Sequence, residues 1–254
     1  MNIGVVIANH NYDKYLKRAI DSAINQTVKP KVITICDDCS TDNSWNIISE
    51  FISFGQTEEH AQESSHGDVI IKVGVVNGID IIAVRFPIST GPSEARNFVI
   101  GMIVNSVDII SILDADDEFL PNKLEECIKP FSNPQIGVVY ANYYHINEET
   151  STKIIEIKQP YDIVKLNQEC IVHSGALIRT RFLEMVKDQF GYYDRTMRTC
   201  EDFELWHRLK EVCLFYHVPL ALTNVLVHSR NSTNSVDKSI WEKNWQRIKE
   251  KHFQ

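Results

Sequence analysis

The 254-residue sequence predicts an α/β fold: one continuous mixed, mostly parallel sheet with helices on its faces. Three observations carry this. Residues 3–8, 32–36 and 107–113 are strand-length runs dominated by Ile, Val and Leu, as in strands buried on both faces. Between them apolar residues recur at helical spacing, and alternation of strand and helix builds a parallel sheet. Two of the runs end on acids, Asp37-Asp38 and Asp114-Ala115-Asp116-Asp117. Open parallel sheets bind ligands beyond such ends.

The elements follow in order. After the first strand, Leu16, Ala19, Ile20, Ala23 and Ile24 form a helical stripe, and Pro30 closes that region. After the second, Thr41 or Asp42 caps a helix carrying Trp45, Ile47, Ile48 and Phe51. Residues 54–68 are polar and rich in Gly, Ser, His and Glu, which predicts a loop. Asn77-Gly78 between 69–76 and 79–86 is a hairpin signal, so 55–86 reads as an inserted hairpin. Gly91-Pro92-Ser93 opens a helix through Ile103, and Pro121 opens another to Phe131. Residues 136–144 and 154–157 read as strands, 199–212 and 240–253 as helices. One domain over 1–254 is expected, with one half at 1–117, a second at 118–230 and a terminal helix at 231–254.

Bulk properties narrow the function. A net charge of −8 argues against sequence-independent nucleic-acid binding. Of the six cysteines only Cys36 and Cys39 are close, and no second pair completes a zinc site. Scattered thiols and a start without a basic flank or cleavage signal predict a cytoplasmic protein with no transmembrane segment.

Three acidic clusters carry the chemistry: Asp37-Asp38, Asp114-Ala115-Asp116 and Glu201-Asp202. Crowded carboxylates repel unless a cation or donors compensate. Hard oxygen ligands suit Mn²⁺ or Mg²⁺, with substrate phosphates completing the shell. Asp37 as a turn residue and Glu201-Asp202 as helix-start acids are the plain alternatives; two acids on one short turn at 114–116 are rarely needed for folding.

The sequence resembles family 2 glycosyltransferases with the GT-A fold. The resemblance rests on Val5-Val6-Ile7-Ala8-Asn9-His10-Asn11, residues 16–26, Asp37-Asp38-Cys39-Ser40-Thr41-Asp42, Gly91-Pro92-Ser93-Glu94-Ala95-Arg96-Asn97, residues 113–117 with Pro121, and Glu201-Asp202-Phe203-Glu204-Leu205-Trp206, in the family's order. It implies a Rossmann-like nucleotide half fused to an acceptor half. It places Ala8, Asn9, Asn11, Asp37, Asp38, Arg96, Asp114, Ala115 and Asp116 at the nucleotide, with Asp37 and Asp38 at the base, usually uracil. It places Asp116, Asp114 and His228 at the metal and Asp202 as catalytic base. Arg230, Glu201 and Ser174 fall near the diphosphate, sugar or acceptor. The implied reaction is inverting transfer from a UDP-sugar to an acceptor hydroxyl. The acceptor is expected to be a glycan, with a lipid, a protein or a modified nucleobase in DNA as lesser alternatives. The chain departs from the pattern at Ala8-Asn9-His10, where proline and threonine or serine are common, and at Cys39, which stands where glycine is usual. A different turn is expected there, because cysteine takes positive φ less readily. The rival readings are a haloacid-dehalogenase-type phosphatase, opposed by Asp117-Glu118 after the second aspartate, and a non-catalytic sugar-nucleotide or glycan-binding module.

Overall fold

The computed structural model describes residues 1–52, 58–64 and 67–253. In chain order the elements are β1 (Ile3–Asn9), α1 (Asp13–Ile24), β2 (Val32–Asp37), α2 (Ser44–Ile52), β3 (Glu58–Ser64), β4 (Gly67–Val76), β5 (Ile79–Arg85) and α3 (Pro92–Ile103). Then come β6 (Ile109–Asp114), β7 (Glu118–Phe119), α4 (Lys123–Ile128), a 3₁₀ turn (Lys129–Ser132), β8 (Ile136–Asn147), β9 (Lys153–Glu156), α5 (Ile163–Leu166), β10 (Leu177–Arg179) and α6 (Thr180–Val186). The chain continues through α7 (Glu201–Leu209), β11 (Leu214–Val227), α8 (Ser232–Ser235) and α9 (Lys238–His252).

The described strands form one sheet in the order β3-β4-β5-β2-β1-β6-β10-β8-β11-β7, with β9 on β8. β5, β2, β1 and β6 run parallel. Their apolar runs are explained by two cores, one on each face. Val5, Ile7, Ile33 and Ile35 pack with Leu16 and Ile20 of α1 and Trp45 and Ile48 of α2. Val6, Cys36, Ile110 and Ile112 pack with Val99, Ile100 and Ile103 of α3. Close approach of α3 needs glycine on β1: a Cβ at Gly4 would lie 2.6 Å from Ile103 Cδ1.

β10 lies antiparallel between β6 and β8 and joins the parallel half to the rest. β8 and β11 pair in parallel, with register shifts at Val218/Ala221 and Ala221/Asn224. Pro219 falls at the Val218/Ala221 shift, where a residue without an N–H is tolerated. Those irregularities break the period-two pattern, and sequence reading left this 14-residue strand unassigned.

The Asn77-Gly78 hairpin forms, with φ of 53° and 77° at the two positions. Its second strand, β5, is also a parallel neighbour of β2, so it belongs to the central sheet. The expected polar loop is corrected in part: Glu58–Ser64 is an edge strand antiparallel to β4, while 53–57 and 65–66 lie outside the described residues. That segment lacks the apolar alternation by which strands are read; backbone pairing supplies the strand. The helix expected to run to Phe131 ends at Ile128, because Pro130 lacks the N–H to continue it, and a 3₁₀ turn follows. No described helix is long and apolar enough to cross a membrane.

Candidate active site

The carboxyl ends of β1 and β6, the start of α7 and the segment after β11 enclose a cavity of about 740 Å³. Ala8, Asn9, Asn11, Asp38, Arg96, Asp114, Ala115, Asp116, Ser174, Glu201, Asp202 and Arg230 all line it. Asp37 and His228 do not.

The first acidic pair turns out to organise loops. Asp37 is fully buried; Asn9 Nδ2 donates to one oxygen at 2.9 Å, and the Ser40 N–H donates to the other, with Arg85 Nε 3.6 Å away. Asp38 accepts from Ser89 Oγ and the Gly91 N–H at 2.8 Å, and from the Thr90 N–H and hydroxyl at 2.7 and 3.1 Å. A carboxylate has about four lone-pair sites, so Asp38 is filled by the loop before α3. Both carboxylates of the pair expected at the base are thus hydrogen-bonded to neighbouring loops, and Asp38 also lines the cavity. Asn11 is likewise engaged: its Oδ1 accepts from the Thr41 N–H at 2.8 Å. Cys39 adopts φ of 59° despite its Cβ, so the turn keeps the conformation that glycine would take.

The second cluster is divided between two partners. Arg96, mostly buried on α3, donates from Nη2 to Asp114 Oδ1 and from Nη1 to Glu201 Oε1, both at 2.7 Å. Its guanidinium also faces the Tyr193 ring at 5.4 Å. Ser174 Oγ donates to the other Asp114 oxygen at 2.9 Å. Burial raises the Asp114 carboxyl, but Arg96 and the Ser174 bond outweigh it and hold the group below its ordinary value. One buried arginine thus ties the acidic turn of β6 to the start of α7.

Asp116 points the other way. Its Oδ2 receives His228 Nε2 at 3.1 Å and Asn231 Nδ2 at 2.9 Å. His228 accepts the Arg230 N–H on Nδ1 at 3.1 Å, so in the neutral ring Nε2 carries the proton and donates to Asp116. The ring is buried and stacked on Tyr15 at 4.6 Å. Burial and the neighbouring Asp114 raise the Asp116 carboxyl, and burial with Asp116 and Asp114 raises Asp117 well above its range. Among the described residues no three His, Cys, Asp or Glu side chains gather as a metal cage. Of the three residues expected at a metal, Asp114 is bonded by Arg96 and Ser174, and His228 is bonded to Asp116. What remains fits a cation held by one carboxylate and completed by substrate phosphates.

Asp202 sits in the first turn of α7 and, among the described residues, accepts only the Phe203 N–H, at 2.7 Å. Burial, then the Glu201 charge, pushes its carboxyl up to about 7, against the pull of that N–H and Arg96. Burial therefore outweighs the helix start. Sequence reading missed Arg198, Asn231, His173, Tyr143 and Trp241, all in the cavity wall. None stands in a recognisable motif, and folding alone collects them. Among the described residues neither Arg198 nor Arg230 has a carboxylate partner; Arg230 lies 5.8 Å from the Tyr12 and Tyr15 rings.

Comparison with known proteins agrees with this architecture. The Glycosyl transferase family 2 model matches residues 4–184. Chondroitin synthase from Escherichia coli is 24% identical over 233 residues, 91% of this chain and 30% of that protein, so the chain spans less than a third of that relative. Residues 1–349 of Staphylococcus aureus TarS, in complex with UDP-GlcNAc, superpose with a TM-score of 0.70 at 14% identity, over 95% of this chain and 64% of that one. The mannosyltransferase PcManGT from Pyrobaculum calidifontis, in complex with GDP-Man and Mn²⁺, gives 0.64 at 14% identity, over 99% and 61%. The phosphatase alternative does not account for the family match. With its fold recovered and most of its length matched, the chain belongs to glycosyl transferase family 2 and has the GT-A fold.

Proposed function

We propose that the chain transfers a sugar from a UDP-sugar to a hydroxyl of a glycan acceptor, with inversion at the anomeric carbon. Asp202 is the observation that carries this reading: a carboxyl raised to about 7 in the same cavity as the Asp114–Asp116 turn. A general base serves best when its pKa lies near the working pH. Asp202 takes the proton of the acceptor hydroxyl as its oxygen attacks the anomeric carbon. The bond from that carbon to the diphosphate oxygen breaks on the opposite face, and the diphosphate leaves with the electron pair. Arg230, without a carboxylate partner among the described residues, meets the developing charge at the rim. Asp116 would hold a divalent cation, Mn²⁺ or Mg²⁺, which would supply charge neutralisation for the leaving group. Arg96 holds Asp114 and Glu201 in register, so the donor and acceptor sides of the cavity keep their spacing.

The structure of TarS with UDP-GlcNAc supports UDP as the nucleotide, and the chondroitin synthase relative supports a glycan acceptor. One domain over 1–254 in a cytoplasmic setting is part of the same proposal. The test is turnover of UDP-glucose and UDP-N-acetylglucosamine with Mn²⁺ and an oligosaccharide panel, followed by NMR of the product's anomeric centre. The expected product has the configuration opposite to that of the donor. Retention would overturn the single-displacement mechanism.

A further inference from the structure

Beside the Ser174–Asp114 contact lies a group of rings that takes no part in the steps above. His173 stands in the loop before β10, with the Tyr143 ring of β8 at 4.3 Å and His145 edge-on to Tyr143 at 5.0 Å. All three line the cavity. The Gly175 N–H donates to His173 Nδ1 at 3.0 Å. A Cβ on residue 175 would crowd that contact, lying 3.0 Å from the same nitrogen. Because Nδ1 is an acceptor, the proton of the neutral ring is on Nε2. Burial, with Lys123 nearby, lowers the imidazole to about 3, so it stays neutral at working pH. Among the described residues none accepts from Nε2–H. The cavity wall therefore holds an N–H donor of fixed tautomer, braced by an aromatic ring.

We propose that His173 determines sugar specificity: its Nε2–H donates to a hydroxyl oxygen of the transferred sugar, which lies against the Tyr143–His173 wall. This rests on the nucleotide-sugar reading above. The transferred sugar is favoured over the acceptor by position. Ser174, next in the chain, bonds Asp114, which shares its turn with Asp116, the residue assigned to the diphosphate, whereas the base that serves the acceptor is on α7. Epimers that turn the hydroxyl away leave the N–H unpaired, and a site built to bond a hydroxyl rejects analogues that lack it.

The test is calorimetry of the full chain with Mn²⁺, using UDP, UDP-glucose and UDP-N-acetylglucosamine as probes, on wild type, His173→Phe, His173→Gln and Gly175→Ala. Phe keeps the aromatic contact and removes the donor; Gln returns an N–H. His173→Phe should bind UDP as wild type does and lose about 3- to 10-fold in affinity for the preferred UDP-sugar, the range of one neutral hydrogen bond. His173→Gln should recover part of that loss. Gly175→Ala should share the loss, because its methyl displaces the ring. Unchanged UDP-sugar affinity in His173→Phe overturns the inference, and so does an equal loss for UDP, which would mark a structural role. A wild type that binds UDP but gains nothing from either sugar also overturns it. A wild type that binds no probe overturns the donor reading itself.

Discussion

Asp202 shows how one residue couples stability to chemistry. Its folded carboxyl titrates at about 7 against an ordinary value of 3.8, so the fold favours the protonated form. That contribution is complete below the unfolded value and is lost as pH rises through 7. An asparagine side chain at this position carries no charge to desolvate. Asp202→Asn should therefore melt above wild type at pH 8, and the gap should close as pH falls toward 4. Turnover should fall about 10²- to 10⁴-fold, the usual contribution of a positioned base, with donor affinity unchanged. Wild-type turnover should rise with pH through about 7. Melting curves and initial rates across pH check all three. Wild-type rates in the variant would make Asp202 a helix-start residue only. The site's acids were legible at this scale because acids after apolar strands violate the expectation for a core. Their partners were not: Arg96 bridging Asp114 to Glu201, and Asp37 and Asp38 spent on loops, are contacts between distant segments.

At the scale of elements, α9 holds α7, the helix that carries Asp202, the proposed base. Trp241, Trp245 and Ile248 mark its buried stripe in the sequence, and the structure adds Asn244 to the same face. Asn244 Nδ2 donates to Thr199 O at 3.0 Å and to Thr199 Oγ1 at 2.9 Å, just before α7. Trp245 stacks on Phe203 at 4.7 Å. Asn244→Ala strands those buried acceptors, and about 1–3 kcal/mol is the usual cost of an unsatisfied buried group. Urea denaturation should show a lower midpoint with an unchanged slope, and an unshifted midpoint would place the docking of α9 elsewhere. Periodicity revealed α1 and α9, while α3 was marked by its Gly91-Pro92-Ser93 start. It missed β11 because register shifts and Pro219 interrupt the alternation.

Across the whole molecule, the cavity is walled by both halves of one sheet and by the segment after β11. A ligand held by parts so far apart in the chain binds the native state and not the unfolded one, so it raises apparent stability. The gain is about 2.7 kcal/mol when the ligand is at 100 times its Kd. UDP with Mn²⁺ should raise the melting temperature more than UDP alone, and Asp116→Ala should erase the cation-dependent part. An equal rise in chelator would remove the cation from the proposal.

Local pattern alone determined the parallel strands β1, β2 and β6, their flanking helices and the acidic turn that ends β6. Those features depend on residues near one another in sequence: apolar runs, helical stripes, and acids that end a strand. Only the tertiary structure decided which carboxylates are free. It filled Asp37 and Asp38, divided Asp114 from Asp116, fixed the tautomers of His173 and His228, and raised Asp202 toward neutrality. Ionisation and hydrogen bonding depend on burial and on donors brought from far along the chain, and the fold alone sets those distances.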